Sequence, residues 1–314
     1  MRVTVPGKVA IIGEYLVLLG NQLLAIPIYD KNKNGVIAEI QKGKRVVISE
    51  QFGLEEEPSI DSSNPIVRAY SVVEKFVGKK LDYTIKLTNS SIFQDKDFKT
   101  GLGSSGAAIV AVVKSLLLAE NKYTSENVFK LSVIAKGPTL ESNYDLAVAA
   151  YENPILYTPK YDAMTIFERF NQGIYDNYKV EVVKFPYKVY VYKILGGSTS
   201  TIKSITRFLE IKDEVREYIE NAKKYLYILL ESLIKKDTQT LLKYKKFYLE
   251  NMKKIKIKIF GEDLEKDIRE WIDSLDVSYG VCSGSGGLDN VVLISKKEIN
   301  IKTPSFLNKL EIYG

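Results

Sequence analysis

The stretch Lys99-Thr100-Gly101-Leu102-Gly103-Ser104-Ser105-Gly106-Ala107-Ala108 constrains this chain more than any other. Three glycines and two serines stand directly before an apolar run from Ile109 to Ala119, broken only by Lys114 and Ser115. Such a run is a buried helix, and the glycines ahead of it form a loop that can turn tightly and approach a ligand closely. The first N–H groups of a helix have no partner within it and carry partial positive charge, so an anion is stabilised there. Ser104 and Ser105 supply hydroxyls that can cap the helix or contact a phosphate-bound metal ion. The stretch reads as a triphosphate cradle, with Lys99, Gly101, Leu102, Gly103, Ser104, Ser105 and Gly106 as its binding residues.

Two better-known loops fit less well. Gly101, Gly103 and Gly106 satisfy G-x-G-x-x-G, but a dinucleotide fold places that loop directly after a strand. Here the expected strand, Tyr83 to Thr88, ends well before Gly101. A P-loop requires Lys and then Ser or Thr after its last glycine, where this chain has Ala107-Ala108. For the stretch alone, a glycine-rich helix start without a ligand is the plain alternative.

Composition removes whole classes of chemistry. The chain has 314 residues and no histidine, which excludes a Ser–His–Asp triad and a His-ligated zinc. Its single cysteine, Cys282, excludes an internal disulfide and a cysteine-based metal cluster. Acid–base work must fall to carboxylates, lysines or tyrosines. The net charge of +6 suits a small anionic ligand as well as nucleic acid. The N-terminus lacks an apolar segment of signal-peptide length, and no apolar stretch reaches membrane-spanning length, so the expectation is a cytoplasmic protein without membrane contact. The length favours two domains, with Pro186 as the boundary.

Along the chain, Val3 to Val5 and Leu23 to Tyr29 read as strands, separated by Pro6-Gly7-Lys8, an apolar run to Ile12, and Gly13-Glu14-Tyr15. Val36 to Ile40 and Arg45 to Ser49 are expected to pair as a hairpin around Lys42-Gly43-Lys44. Glu55 to Ser63 reads as a loop. Asn64-Pro65 starts a helix, and Ser125 to Ala135 forms another that Gly137-Pro138 stops. Tyr144 to Tyr151 is apolar and alanine-rich. Tyr161 to Arg169 and Val180 to Val183 read as strand or mixed structure. Beyond Pro186, Val189 to Ile194 alternates like a strand, and Gly196 to Thr201 opens a polar loop before a helix. Asp213 to about Lys256 reads as two long amphipathic helices. Their lysine-rich flank (Lys243, Lys245, Lys246, Lys253, Lys254) is the solvated side of a helix or, alternatively, an RNA-binding face. Val277 to Cys282, Val291 to Ser295 and Leu310 to Tyr313 read as strands.

Three glycine-bearing motifs therefore stand in order: Pro6-Gly7-Lys8 through Gly13-Glu14-Tyr15, Gly101 to Gly106, and Ser283-Gly284-Ser285-Gly286-Gly287-Leu288-Asp289. Their order and spacing resemble the GHMP kinases across nearly the whole chain. The resemblance implies an α+β, two-domain fold: an ATP-binding domain over 1–186, like domain 2 of ribosomal protein S5, and a ferredoxin-like domain over 187–314. ATP with Mg²⁺ and a small phosphorylated substrate would meet in the cleft between them, with neither membrane nor nucleic acid as partner. In phosphomevalonate kinases the first motif reads Gly-Glu-Tyr, as here, whereas mevalonate kinases carry Gly-Glu-His. Ser142-Asn143-Tyr144-Asp145-Leu146-Ala147 is similar to the Ser-Gly-Tyr/Phe-Asp-Val-Ala of that group, and Ser198-Thr199-Ser200-Thr201 to its Ser/Thr substrate loop. Asn143 in place of glycine, Leu288 in place of a third glycine, and Gly280-Val281-Cys282 in place of Ala-Lys are departures from the pattern.

The resemblance assigns Lys8 to steering the acceptor phosphate and Asp145 to orienting the acceptor or balancing Lys8. Ser104 and Ser105 would meet the Mg²⁺–phosphate unit. Lys8, Glu14, Tyr15, Ser142, Asn143, Tyr144, Ser198, Thr199, Ser200, Gly284, Ser285 and Gly286 would line the substrate side. Plain alternatives remain for several: Lys8 as a surface lysine, Asp145 and Ser198 to Thr201 as helix caps, Glu141 as a solvated loop carboxylate rather than a metal ligand. The other open readings are a GHMP enzyme acting on mevalonate or diphosphomevalonate, and a non-catalytic sensor or RNA-binding relative.

Overall fold

A computed structural model describes residues 1–49, 51, 53–93, 101–195, 200–284 and 289–313. The chain begins with β1 (Arg2–Val5) and β2 (Gly7–Ile12), which are separated only by Pro6 yet belong to different sheets. Proline has no N–H for either ladder, so the chain can step from one sheet to the other at that residue. A short 3-10 turn at Leu16–Leu19 leads to β3 (Leu23–Asp30), which pairs antiparallel with β2.

Next come β4 (Val36–Lys42), β5 (Val46–Ser49), β6 (Leu54–Glu56), α1 (Pro65–Val77) and β7 (Tyr83–Asn89). The expected hairpin of β4 with β5 does not form. β7 lies between them, antiparallel to β4 and parallel to β5, in a sheet ordered β1-β4-β7-β5-β6. Alternation shows that a strand is half-buried but not which strand covers its edge, and a glycine turn invites the wrong neighbour. β6 also places part of the expected Glu55 to Ser63 loop in this sheet.

α2 (Ser104–Ala119) is apolar on nearly every side and packs against α1, α3 (Ser125–Lys136), α4 (Tyr144–Tyr151), β1 and β4. A helix buried all round sits at the centre of a layer rather than on its surface. β8 (Ile155–Pro159), α5 (Ala163–Asn171) and β9 (Tyr178–Val182) follow. Much of Tyr161 to Arg169 is thus helical, not strand. Asp162 caps α5 by accepting the Thr165 N–H at 3.0 Å, and Ala163 and Ile166 bury one face.

The remaining elements are β10 (Lys188–Ile194), α6 (Thr201–Ile211), α7 (Arg216–Lys235), α8 (Thr238–Phe260), α9 (Lys266–Asp273), β11 (Tyr279–Ser283), β12 (Asn290–Ser295), β13 (Leu307–Lys309) and β14 (Ile312–Tyr313). Four of these strands form a sheet ordered β11-β12-β10-β13. β12 is buried at every residue because the sheet is covered on both faces. Val291 and Leu293 face α9 in a small core with Ile268 and Ile272, while Val292 and Ile294 join the main core. β14 pairs with β3, setting Ile312 against Asp30. Among the described residues no helix is long and apolar enough to cross a membrane.

Candidate active site

The N-terminus of α2 opens into a cavity of about 670 Å³. Gly103 precedes the helix in a left-handed conformation at φ 79°, and no side chain caps it. Ser104 and Ser105 therefore keep their hydroxyls for the cavity, which both line, and the capping alternative falls away. Leu102 is fully buried beneath the loop, and its carbonyl accepts the backbone N–H of Lys8 at 2.8 Å. β2 is thereby fastened to the underside of the loop.

Lys8 is no surface lysine: it is 8% exposed. Its Nζ donates to the Gly101 carbonyl at 3.0 Å and lies 5.2 Å from the centre of the Tyr144 ring. Burial works against its charge, but Tyr144, Glu14 and Asp145 outweigh this and hold the ammonium above its ordinary pKa. Burial pushes the Tyr144 hydroxyl up to about 12, so it is neutral at physiological pH.

Asp145 is the second residue of α4 rather than its cap, a position where the helix dipole favours a carboxylate. Its Oδ1 lies 3.6 Å from Lys136 Nζ, which also pairs with Glu141 at 2.7 Å. Those two carboxylates outweigh burial and raise the Lys136 pKa. Glu141 is thus an ion-pair partner at the cavity wall. A Cβ on Gly106 would come within 2.5 Å of Asp145 Oδ2, and one on Gly103 within 3.2 Å of Lys8 Cγ. The Gly101 to Gly106 loop, Lys8 and Asp145 therefore meet where a side chain on Gly103 or Gly106 would crowd them.

Asn143 turns the chain into α4 at φ 61°, a left-handed position that asparagine tolerates better than most residues. Its Nδ2 donates to the Tyr178 hydroxyl at 2.9 Å, while Tyr157 donates to the Ser142 carbonyl. Glu14 reaches across to the C-terminal half, accepting the Gly284 N–H at 2.7 Å. Burial pushes its carboxyl up to about 7, against the pull of Lys256, the Gly284 N–H and Lys8. Behind it, buried Lys256 on α8 pairs with Glu265 at 2.5 Å. Lys256 is thus an exception within a helix whose lysines read from sequence as a solvated flank. Tyr15, at φ 60°, packs its ring against Phe208 of α6.

One cavity thus gathers Lys8, Glu14, Tyr15, Gly101, Gly103, Ser104, Ser105, Gly106, Ser142, Asn143, Tyr144, Asp145, Ser200 and Gly284. Ser200 also serves as the α6 cap, its Oγ accepting the Lys203 N–H at 3.5 Å. Lys99, Ser198, Thr199, Ser285 and Gly286 lie outside the described residues. Two charged lining residues were given no role by the sequence. Lys136 ends α3 like any helix-terminal lysine, and Asp289 closes the Ser283 to Asp289 motif, where the glycines drew the assignment.

No family model matches the chain. A curated relative, phosphomevalonate kinase of Saccharolobus solfataricus, is 26% identical over 248 residues, covering 76% of this chain and 72% of the relative. Among solved structures, Streptococcus pneumoniae phosphomevalonate kinase in complex with phosphomevalonate and AMPPNP matches with a TM-score of 0.75 at 20% identity. That match covers 95% of this chain and 93% of the other. A Lin0012 protein from Listeria innocua matches with a TM-score of 0.79 at 20% identity, covering 95% and 91%. Methanococcus jannaschii mevalonate kinase gives 0.63 at 15%, covering 94% and 91%. The fold is α+β and is that of the GHMP kinases. Within that class the chain resembles phosphomevalonate kinase.

Proposed function

We propose that this protein is an ATP-dependent kinase of the GHMP type that converts 5-phosphomevalonate to 5-diphosphomevalonate. The observation that carries the reading is the junction of Lys8, Asp145 and the open N-terminus of α2 around Gly103 and Gly106. Phosphoryl transfer needs positioning and charge neutralisation more than covalent chemistry, and this junction supplies both. The triphosphate rests on the first N–H groups of α2, with Ser104 and Ser105 beside it. Lys8 steers the acceptor phosphate and stabilises charge on the transferred group. An acceptor phosphate is already anionic at neutral pH, so Asp145 orients it and balances Lys8 and Lys136. Residues 1–186 form the ATP-binding half and 187–314 the half that closes the cleft.

The donors around the loop are hydroxyl and carboxylate oxygens, from Ser104, Ser105, Asp145 and Asp289, which suit Mg²⁺. Among the described residues no group of three carboxylate or thiol side chains could hold a metal by itself. The fit is to an ion held largely by substrate phosphates, and such an ion supplies charge neutralisation on the triphosphate.

The test is coupled ADP release with ATP and Mg²⁺ against mevalonate, 5-phosphomevalonate and 5-diphosphomevalonate, one at a time. Turnover with 5-phosphomevalonate alone is the expected result. Turnover only with another of the three refutes the acceptor assignment, and ATP binding without turnover on any refutes the kinase.

A further inference from the structure

The phosphate loop is touched by a residue from the other half of the chain, and that residue is acidic. Gly101, at φ 68°, and Gly284, at φ 117°, both press on the side chain of Asp289. A Cβ on Gly101 would lie 2.4 Å from Asp289 Cβ and 2.8 Å from its Oδ2, and one on Gly284 would lie 2.3 Å from Oδ2. Asp289 is 8% exposed and lines the same cavity as Lys8, Ser104 and Ser105. Its backbone is held in place. Its carbonyl accepts the Ile194 N–H at 3.2 Å, and the next residue, Asn290, begins β12 opposite Lys193. Gly284, on its other side, is held by Glu14.

A carboxylate fixed against an anion cradle is electrostatically costly for a bare triphosphate. It is favourable for a triphosphate that carries a divalent cation, because a carboxylate oxygen is a hard ligand for that cation or for its water shell. We infer that Asp289 is a specificity-determining residue that restricts the phosphate loop to metal-complexed nucleotide. The inference rests on the nucleotide reading of the cavity, in which Lys8 clasps Gly101 through its carbonyl while Asp289 presses on it from the C-terminal half. A positive and a negative side chain then flank one loop residue. The loop keeps its affinity for phosphate and loses its tolerance for phosphate without metal.

The experiment is calorimetric titration of ATP into the wild-type chain and into Asp289→Asn, each once with excess Mg²⁺ and once with EDTA. Asparagine keeps the shape that Gly101 and Gly284 accommodate and removes the charge. The wild type should bind ATP much more tightly with Mg²⁺, and Asp289→Asn should reduce that preference by about tenfold, mainly by improving metal-free binding. Asp289→Ser, smaller and uncharged, should behave in the same way and covers the case in which asparagine disturbs folding. An unchanged preference in the folded variants overturns the inference while leaving the nucleotide site intact. A wild type that binds ATP in neither buffer overturns the nucleotide reading and the inference with it.

Discussion

Gly106→Ala separates the needs of the helix from the needs of the site. Gly106 is the third residue of α2, and alanine inside a helix is favoured over glycine by about 1 kcal/mol. On propensity alone the substitution stabilises the protein. The added Cβ, however, would stand 2.5 Å from Asp145 Oδ2, 3.2 Å from Cγ and 3.3 Å from Leu146 Cδ2. To restore ordinary contact the carboxylate must retreat by about 1 Å, which its own side-chain torsions permit at modest cost. That retreat moves Asp145 relative to Lys136 and, in the proposed reaction, to the acceptor. A misplacement of about 1 Å at a reacting centre costs on the order of 100-fold in rate. Gly106→Ala should therefore melt within about 3 °C of wild type, gain and loss offsetting each other. Its kcat should fall by between about 10-fold and 100-fold. Thermal unfolding and steady-state ADP release on the acceptor that the wild type turns over would measure both. A kcat within twofold of wild type would refute the claim that glycine is there to seat Asp145.

Asp145→Asn should lower kcat by a similar factor at every pH from about 6 to 9, because the acceptor phosphate needs no base; a pH–rate profile that changes shape in the variant would restore the base role. Lys256→Met leaves buried Glu265 with only the longer Arg269 contact at 3.5 Å and should cost about 3 kcal/mol in urea unfolding, the low end for a broken buried pair; a loss under 1 kcal/mol would show that the pair carries no such burden. Glu14 is pushed up to about 7 from an ordinary 4.5, so the folded state holds its proton more tightly than the unfolded chain. Its contribution to stability is therefore fullest below about pH 4.5 and is lost as pH rises through 7. In Glu14→Gln that pH-dependent decline should be absent, and parallel melting curves of wild type and variant from pH 5 to 8 would contradict the assignment. At the left-handed Asn143, Asn143→Ala should be about 1–2 kcal/mol less stable than Asn143→Gly, both having lost the bond to Tyr178; equal stabilities would remove the backbone argument.

What the sequence revealed were features written into adjacent residues. α1 is announced by its Asn64 cap and by Pro65, α2 by its apolar run, and β12 by five successive apolar or small residues after Asn290. The glycine motifs marked the loops, and Lys8 stands directly after Gly7. Hidden from it were features decided by the meeting of distant segments. The placement of β7 between β4 and β5 depends on edges that alternation cannot distinguish. Lys256 looks in sequence like its neighbours Lys253, Lys254 and Lys258. Only the packing of α8 over the end of β11 turns it inward to Glu265 and the Cys282 carbonyl. Lys136 and Asp289 went unassigned for the same reason, since their surroundings come from α4 and from the Gly101 to Gly106 loop.

The pairing of β14 with β3 bears on how the cleft can be entered. Residues 187–314 are joined to the preceding part of the chain at Pro186 and again where Ile312 and Tyr313 add to β3. They are fastened a third time at the Ala10 and Gly13 N–H groups, which donate to Ser283 Oγ and the Tyr248 hydroxyl, both at 3.1 Å. Contacts along several seams oppose a hinge-like opening of the cavity. Traffic into the cavity would instead use movements of the rim, where exposed Ile202 and the start of α6 line it. The rate of ligand exchange would then be set by a few side chains and one helix end, while the seams hold still.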